Sequence, residues 1–318
     1  QKLAGIVACG GRFFPDNLSG NQVPVFSTAG DLDFNYRETH LLDDFLAEQG
    51  NPHRLVVFEG PHTWMPPSVA LDAVTWFEIL AMQGGQREVD ENLIRSSLAE
   101  EMAKAESLAA GGRVLEAVRR LRELEGAYDG LADTTAAQKR AKEIEATTEF
   151  KEQTKAFKRS SGFERRCDES VNNGLAALRA AEVPPPVTQL AREFGIGELQ
   201  KRAETKDVMG YAAQRCLNAL YTGVSFYVPR DTMAERRYVH AETAYELAVL
   251  VRGDDPVVWY NLACARAHLG QEKSAVEALA NSLKYGFNRY ELLETDTDLD
   301  PLRGRDDFKA LLATVPTS

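Results

Sequence analysis

At 318 residues the chain is long enough for two or three separately cored domains, and 44% hydrophobic with 27% charged residues is ordinary globular composition. No apolar run reaches the roughly 20 residues needed to span a bilayer, so no membrane-spanning segment is expected. A formal net charge of -11 argues against nucleic acid or anionic lipid as a partner, since either needs a cationic surface.

Leu3 to Cys9 (LAGIVAC) is a short apolar run closed by Gly10 and Gly11, which predicts a buried strand. A loop rich in Pro, Asn and Gly follows from Phe14 to Gln22. Val23 to Thr28 (VPVFST) predicts a second strand, ending at Ala29 and Gly30. Arg37 to Gln49 carries Leu41, Leu42, Phe45 and Leu46 as a helical stripe, stopped by Gly50. Arg54 to Phe58 (RLVVF) predicts a third strand, followed by a Glu59-Gly60-Pro61-His62 turn. A helix from Val69 to Met82, with Trp76 and Phe77 on it, is expected to be capped by Ser68. This order of strands and helices is the rhythm of a parallel sheet covered by helices, in an α/β arrangement. Three strands leave an open edge and need something more to pair with.

After Gln83-Gly84-Gly85 strand-like runs vanish and nearly everything reads as helix. Residues 1–84 are therefore expected to form the α/β part, 85–205 a helical domain, and 206–318 a second helical domain with a C-terminal cap. Thr134 to Lys158 is a long, highly charged stretch that reads as a solvated or partly buried helix. Val183-Pro184-Pro185-Pro186 must break the helical run. Near the C-terminus a 34-residue period emerges. Ala241, Tyr245 and Ala248 precede Asp255-Pro256, and Trp259, Leu262, Ala263, Gly270, Ala275 and Leu279 follow. In such a unit the alanines let two antiparallel helices approach, while Trp259 and Leu279 fill between turns. These spacings resemble a tetratricopeptide unit. Ala105, Gly112, Ala117, Leu121 and Leu124 fit a degenerate earlier copy, and Tyr290 to Leu312 resembles the closing segment after a last repeat. Such repeats imply a peptide or protein partner or, equally, a purely structural packing role.

The four cysteines form no CxxC pair and no zinc-ligand spacing. Cys9 and Cys264 read as core residues, while Cys167 and Cys216 fall on helical segments where they could meet and pair. No P-loop, no GxGxxG after a strand, no HExxH and no complete calcium loop is present, so no cofactor and no metal are expected. Asp296, Asp298 and Asp300 alternate but lack the glycine and distal glutamate of an EF-hand, and read as helix caps. No signal-peptide pattern opens the chain, and its first residue is Gln1, as in a processed or trimmed polypeptide; no compartment follows.

Two turns carry chemical content. Gly30-Asp31-Leu32-Asp33 follows the second strand, and Gly60-Pro61-His62 follows the third. A carboxylate and a histidine on loops at the C-terminal ends of adjacent parallel strands are what a nucleophilic triad needs: the histidine shuttles the proton and the acid fixes its tautomer. The segments Pro24 to Tyr36 and Leu55 to Trp64 resemble the last strands of α/β-hydrolases of the esterase and dienelactone-hydrolase type, over roughly the first 84 residues. The resemblance implies hydrolysis of a carboxylic ester or related acyl bond, with His62 as the histidine. Asp33, at the Gly-x-x-Asp position, is the favoured acid, and Asp31 is the alternative. No Gly-x-Ser-x-Gly elbow occurs in the 318 residues. The nucleophile is therefore expected on a preceding N-terminal hydrolase half, which would be this segment's partner. The alternative is a non-catalytic interaction scaffold that retains a hydrolase remnant.

Overall fold

In a computed structural model, which describes residues 5–11 and 23–315, the three apolar runs pair as one parallel sheet. Its strands are β1 (Ile6–Cys9), β2 (Val25–Gly30) and β3 (His53–Phe58), in the order β1-β2-β3. Ile6 lies opposite Val25, and Val25 opposite His53. Every residue of β2 is buried, because it is the central strand and is covered on both faces. β2 runs on through Ala29 and Gly30, which were expected to end it, because both residues still pair with Val57 and Phe58 of β3. Leu3 and the Phe14 to Gln22 loop lie outside the described residues.

Helix α1 (Tyr36–Glu48) follows β2, and α2 (Pro67–Gln83) follows β3. Ser68 does not cap α2. The helix begins at Pro67, two residues before the expected start at Val69, so Ser68 falls inside the first turn; the fixed φ of Pro67 suits a first helical position. Trp76 and Ile79 of α2 are buried, and Trp76 packs its ring 5.9 Å from that of Phe26 on β2.

The next helices are α3 (Glu91–Ala110), α4 (Val114–Ala127), α5 (Thr135–Glu145) and α6 (Thr148–Ala180). The charged stretch from Thr134 to Lys158 is thus two helices rather than one. At the break, the Thr147 hydroxyl donates to Ile144 O at 2.7 Å and accepts from the Phe150 N–H at 3.2 Å, so a side chain takes over backbone bonds that a continuous helix would make. Asp90 caps α3 by accepting from the Leu93 N–H at 3.0 Å. Ala105, Ala117, Leu121 and Leu124 are all buried where α3 and α4 pack together. They join Phe26, Phe58, Trp76 and Ile79 in one hydrophobic cluster that extends to Ile144.

By packing, the chain forms two units: residues 1–164 with 207–215, and residues 165–206 with 216–318. The change of texture after residue 84 lies inside the first, because the sheet and the α3–α5 helices share that cluster. The free edge of β3 is blunted within this unit by a side chain, as the Arg113 guanidinium donates to Val57 O at 3.1 Å. Among the described residues β1 pairs only with β2.

The second unit is wholly helical among its described residues. After the Val183–Pro186 break come α7 (Val187–Glu193), α8 (Ile196–Ala203) and α9 (Val208–Thr222), the last of which begins in the first unit. A π-helical turn (Gly223–Tyr227) leads into α10 (Val228–Ala234). Then come α11 (Tyr238–Val251), α12 (Pro256–His268) and α13 (Glu272–Lys284). Ala241, Ala248, Ala263, Ala275 and Leu279 are fully buried where these helices pack, so small residues do allow the close approach read from their spacing. Trp259 instead remains partly exposed and donates its indole N–H to Gly253 O at 2.8 Å. A polar handle directed at the inter-helix loop keeps it from filling the core. The chain closes through α14 (Glu291–Thr295), a 3-10 turn (Thr297–Leu302) and α15 (Asp306–Leu312), with Leu299, Leu302 and Phe308 buried. All four cysteines are thiols, so the disulfide between Cys167 and Cys216 is not made. No helix among the described residues is long and apolar enough to cross a membrane.

The first unit also buries a charge network under β3. Arg54 reaches Glu101 at 3.3 Å and Glu123 at 3.2 Å, and Glu101 is held from the other side by Arg120 at 3.0 Å. Burial pushes the Glu123 carboxyl up to about 7, with Asp43 adding to the rise while Arg54, Arg119 and Arg120 oppose it. A carboxyl whose folded-state pKa lies above its unfolded value stabilises the fold most below the unfolded value, and that stability is lost as pH rises through the folded one. Thermal stability is therefore expected to fall between about pH 4.5 and 7.5, and Glu123→Gln to flatten that decline. Melting curves across this range check the slope; an unchanged slope in the variant counts against the assignment to Glu123.

Candidate functional site

The C-terminal ends of β2 and β3 carry the two turns singled out in the sequence, and backbone bonds zip them together. Asp31 N–H donates to Phe58 O at 2.8 Å, and Leu32 N–H to Gly60 O at 3.0 Å. Asp31 adds its side chain, whose Oδ1 accepts from the Gly60 N–H at 2.9 Å. Gly30 must be glycine here: a Cβ would run into the Gly60 carbonyl oxygen and lie 2.5 Å from that of Pro61.

Of the two candidate acids, Asp33 is the one that meets the histidine. His62 Nδ1–H donates to the Asp33 carboxylate, 3.0 Å from Oδ1 and 3.1 Å from Oδ2. Asp31 is spent on the turn instead. The Asp33 side chain is 1% exposed while that of His62 is 46% exposed, so the pair runs from the interior to the surface. Oδ1 of Asp33 also accepts from the Asn35 N–H at 2.8 Å. Burial pushes the Asp33 carboxyl above its ordinary value, and the Asn35 N–H and the His62 partner pull it back down. Phe34 lies against the imidazole, with ring centroids 4.5 Å apart, and restrains its rotation. No described residue hydrogen-bonds His62 Nε2. Trp64, two positions further along, is 81% exposed.

Two further residues belong to this arrangement, and neither stood out in the sequence as more than a turn former. Asn35 precedes α1 but does not cap it with its side chain; its Nδ2 donates to Gly10 O at the end of β1 instead. Gly10 itself is left-handed (φ +53°), and a Cβ there would lie 2.5 Å from Asp33 Oδ2 and 3.0 Å from His62 Nδ1. The signal that could have found it was a glycine ending a strand next in space to the acid strand. Gly10→Ala is expected to cost about 1–2 kcal/mol from backbone strain alone, and in addition to push the carboxylate off the imidazole. Chemical denaturation gives the first quantity. The His62 tautomer, read by nitrogen NMR, gives the second; an Nδ1–H imidazole surviving in the variant would speak against the contact.

The remaining histidines are structural. His40 is buried on α1, where its Nδ1 accepts from the Arg119 guanidinium at 3.1 Å. Burial together with Arg119 and Arg215 holds it well below its ordinary pKa, hence neutral. His53 Nδ1 bonds Asn51 O, His240 bonds Ala181 O, and His268 bonds Asp298. Cys264, Asp296 and Asp298 do converge, with ligand atoms within 4.8 Å of one another, in a set suited to a metal ion. Each carboxylate there is already engaged. Asp296 accepts from the Tyr260 hydroxyl at 2.6 Å and caps the 3-10 turn through the Asp298 N–H, while Asp298 accepts from His268 at 2.8 Å. Burial drives the Cys264 thiol far up, so it stays protonated.

No family model matches the chain, and no solved structure matches it. One stretch is 35% identical over 77 residues to a chloroplast protein of Arabidopsis thaliana. That match covers 22% of this chain and 23% of the plant protein, so the chain spans less than a quarter of its relative's length. A likeness of that extent concerns a segment and assigns no family.

Proposed function

We propose that Asp33 and His62 are the acid and the histidine of a nucleophilic triad that hydrolyses a carboxylic ester or a related acyl bond. One observation carries this reading: a buried carboxylate holds Nδ1–H of an imidazole whose opposite nitrogen faces outward with no partner among the described residues. That arrangement fixes the tautomer in which Nε2 has a lone pair to accept a proton. In the reaction, Nε2 takes the proton of a nucleophilic hydroxyl as its oxygen attacks the acyl carbon, and Asp33 stabilises the imidazolium that results. The same proton then passes to the leaving alkoxide as the acyl–oxygen bond breaks. A water deprotonated by Nε2 in its turn releases the acid and restores the hydroxyl.

The hydroxyl comes from outside residues 1–318. No Gly-x-Ser-x-Gly elbow occurs in the sequence, and Ser27 and Thr28 on β2 are buried in the sheet, beyond the reach of substrate. The test uses the natural polypeptide or assembly that contains these residues, treated with a fluorophosphonate probe of serine nucleophiles. Labelling of a serine outside residues 1–318, lost in His62→Ala, is the expected result. Labelling that persists in that variant, or no labelling of the intact material, defeats the reading.

A further inference from the structure

Arg215 on α9 reaches the acid turn from far along the chain. Its NH1 donates to Asp31 O at 2.6 Å, across 184 positions of sequence. Its guanidinium also lies 4.1 Å from the centroid of the Tyr36 ring. Asp31 and Tyr36 flank Asp33 on either side, and the Tyr36 N–H bonds Asp33 O at 2.9 Å. A single planar cation therefore grips the acid turn before and after the carboxylate.

Arg215 is itself fixed. Glu164 of α6 receives it in a two-pronged pair, with Nε to Oε2 at 2.9 Å and NH2 to Oε1 at 2.6 Å. Both side chains are 6% exposed. A buried, bidentate, charge-balanced pair adds little net stability, but it sets orientation sharply. With Nε and NH2 held by Glu164, the plane of the guanidinium is set, and NH1 lies against the Asp31 carbonyl. Burial pushes the Tyr36 hydroxyl up to about 12, with the Arg215 charge opposing the rise.

We propose that Arg215, oriented by Glu164, is a positioning residue for the Asp33–His62 pair: it fixes the acid turn through the Asp31 carbonyl and the Tyr36 ring. The proposal rests on the triad reading for its purpose, and on the geometry alone for its test. Helices far beyond the sheet in sequence are on this account part of the site's frame.

The test reads the His62 tautomer by long-range nitrogen–proton NMR on the 318-residue chain. The wild type should show Nδ1–H, and Asp33→Asn should lose it. Arg215→Met alone strands Glu164, so the deciding variant is the charge-balanced Arg215→Met/Glu164→Gln. It is expected to keep the helical circular dichroism signal and a cooperative melt, yet to shift His62 to the Nε2–H form. Arg215→Lys keeps the charge but cannot serve two Glu164 oxygens and a carbonyl together, and should retain part of the Nδ1–H population. An Nδ1–H signal undiminished in the double variant, or absent from the wild type, overturns the proposal. Failure of fluorophosphonate labelling would instead sink the triad reading and leave the tautomer result standing on its own.

Discussion

On the proposed triad reading, Asp33→Asn is expected to lower acyl hydrolysis by about 10⁴-fold, the scale on which an acid-to-amide change acts in such triads, with the fold intact. The physical reason lies in which atom donates. Asp33 accepts from His62 Nδ1–H through both carboxylate oxygens, so the imidazole carries its proton inward and its lone pair outward. An amide at this position presents an N–H to the same nitrogen, and the imidazole answers by turning over to the Nε2–H form. Nε2 can then no longer accept the nucleophile's proton. His62→Ala removes the base altogether and should fall to the same residual level, because residues that act as a unit are not additive. The double variant should accordingly be no worse than either single one. Steady-state hydrolysis of a chromogenic short-chain ester by the intact material measures all three. A loss below about tenfold in Asp33→Asn would remove Asp33 from the chemistry.

Arg54→Met is expected to have the largest effect on stability, about 3–5 kcal/mol at alkaline pH, where Glu123 must ionise without its cation, and less where it can take a proton. Arg54 sits on β3 with both Glu101 and Glu123 around it, and its own side chain is almost wholly enclosed. Glu101 keeps Arg120 as a second partner, so the cost falls chiefly on Glu123. Glu123 has one carboxylate oxygen with no hydrogen-bond partner and a carboxyl already pushed up to about 7. Adding Glu123→Gln to Arg54→Met should recover a good part of the loss, since it removes the uncompensated charge. Urea denaturation followed by circular dichroism gives both values. A change under about 1 kcal/mol in the single variant would mean that water reaches the network and screens it.

The three strands, the two helices beside them and the break at Val183–Pro186 were all legible, because each rests on a local pattern: apolar runs, a helical stripe, prolines that cannot continue a helix. The misreadings were also local. Thr134 to Lys158 has an unbroken helical composition, and only the Thr147 hydroxyl, by taking two backbone partners, reveals the break. Ser68 has the right chemistry for a cap, but the helix starts at Pro67 and places Ser68 inside its first turn. Trp259 matched the repeat spacing, yet its N–H found a loop carbonyl.

The sequence by itself determined that an acidic and a basic side chain would stand at the ends of neighbouring parallel strands, because strand order and turn chemistry are written in adjacent residues. The Gly-x-x-Asp pattern favoured Asp33 over Asp31, two positions away in the same turn, without excluding Asp31. The choice came from three-dimensional partners: the Gly60 N–H takes Asp31, and His62 takes Asp33. Gly10, Asn35 and Arg215 became part of the site only in the fold, since each acts through a backbone atom or a close approach that leaves no trace in residue type or spacing. The same holds for the core that joins the sheet to α3–α5. Composition changes after residue 84, but burial of apolar surface follows shape, and it runs straight across that boundary.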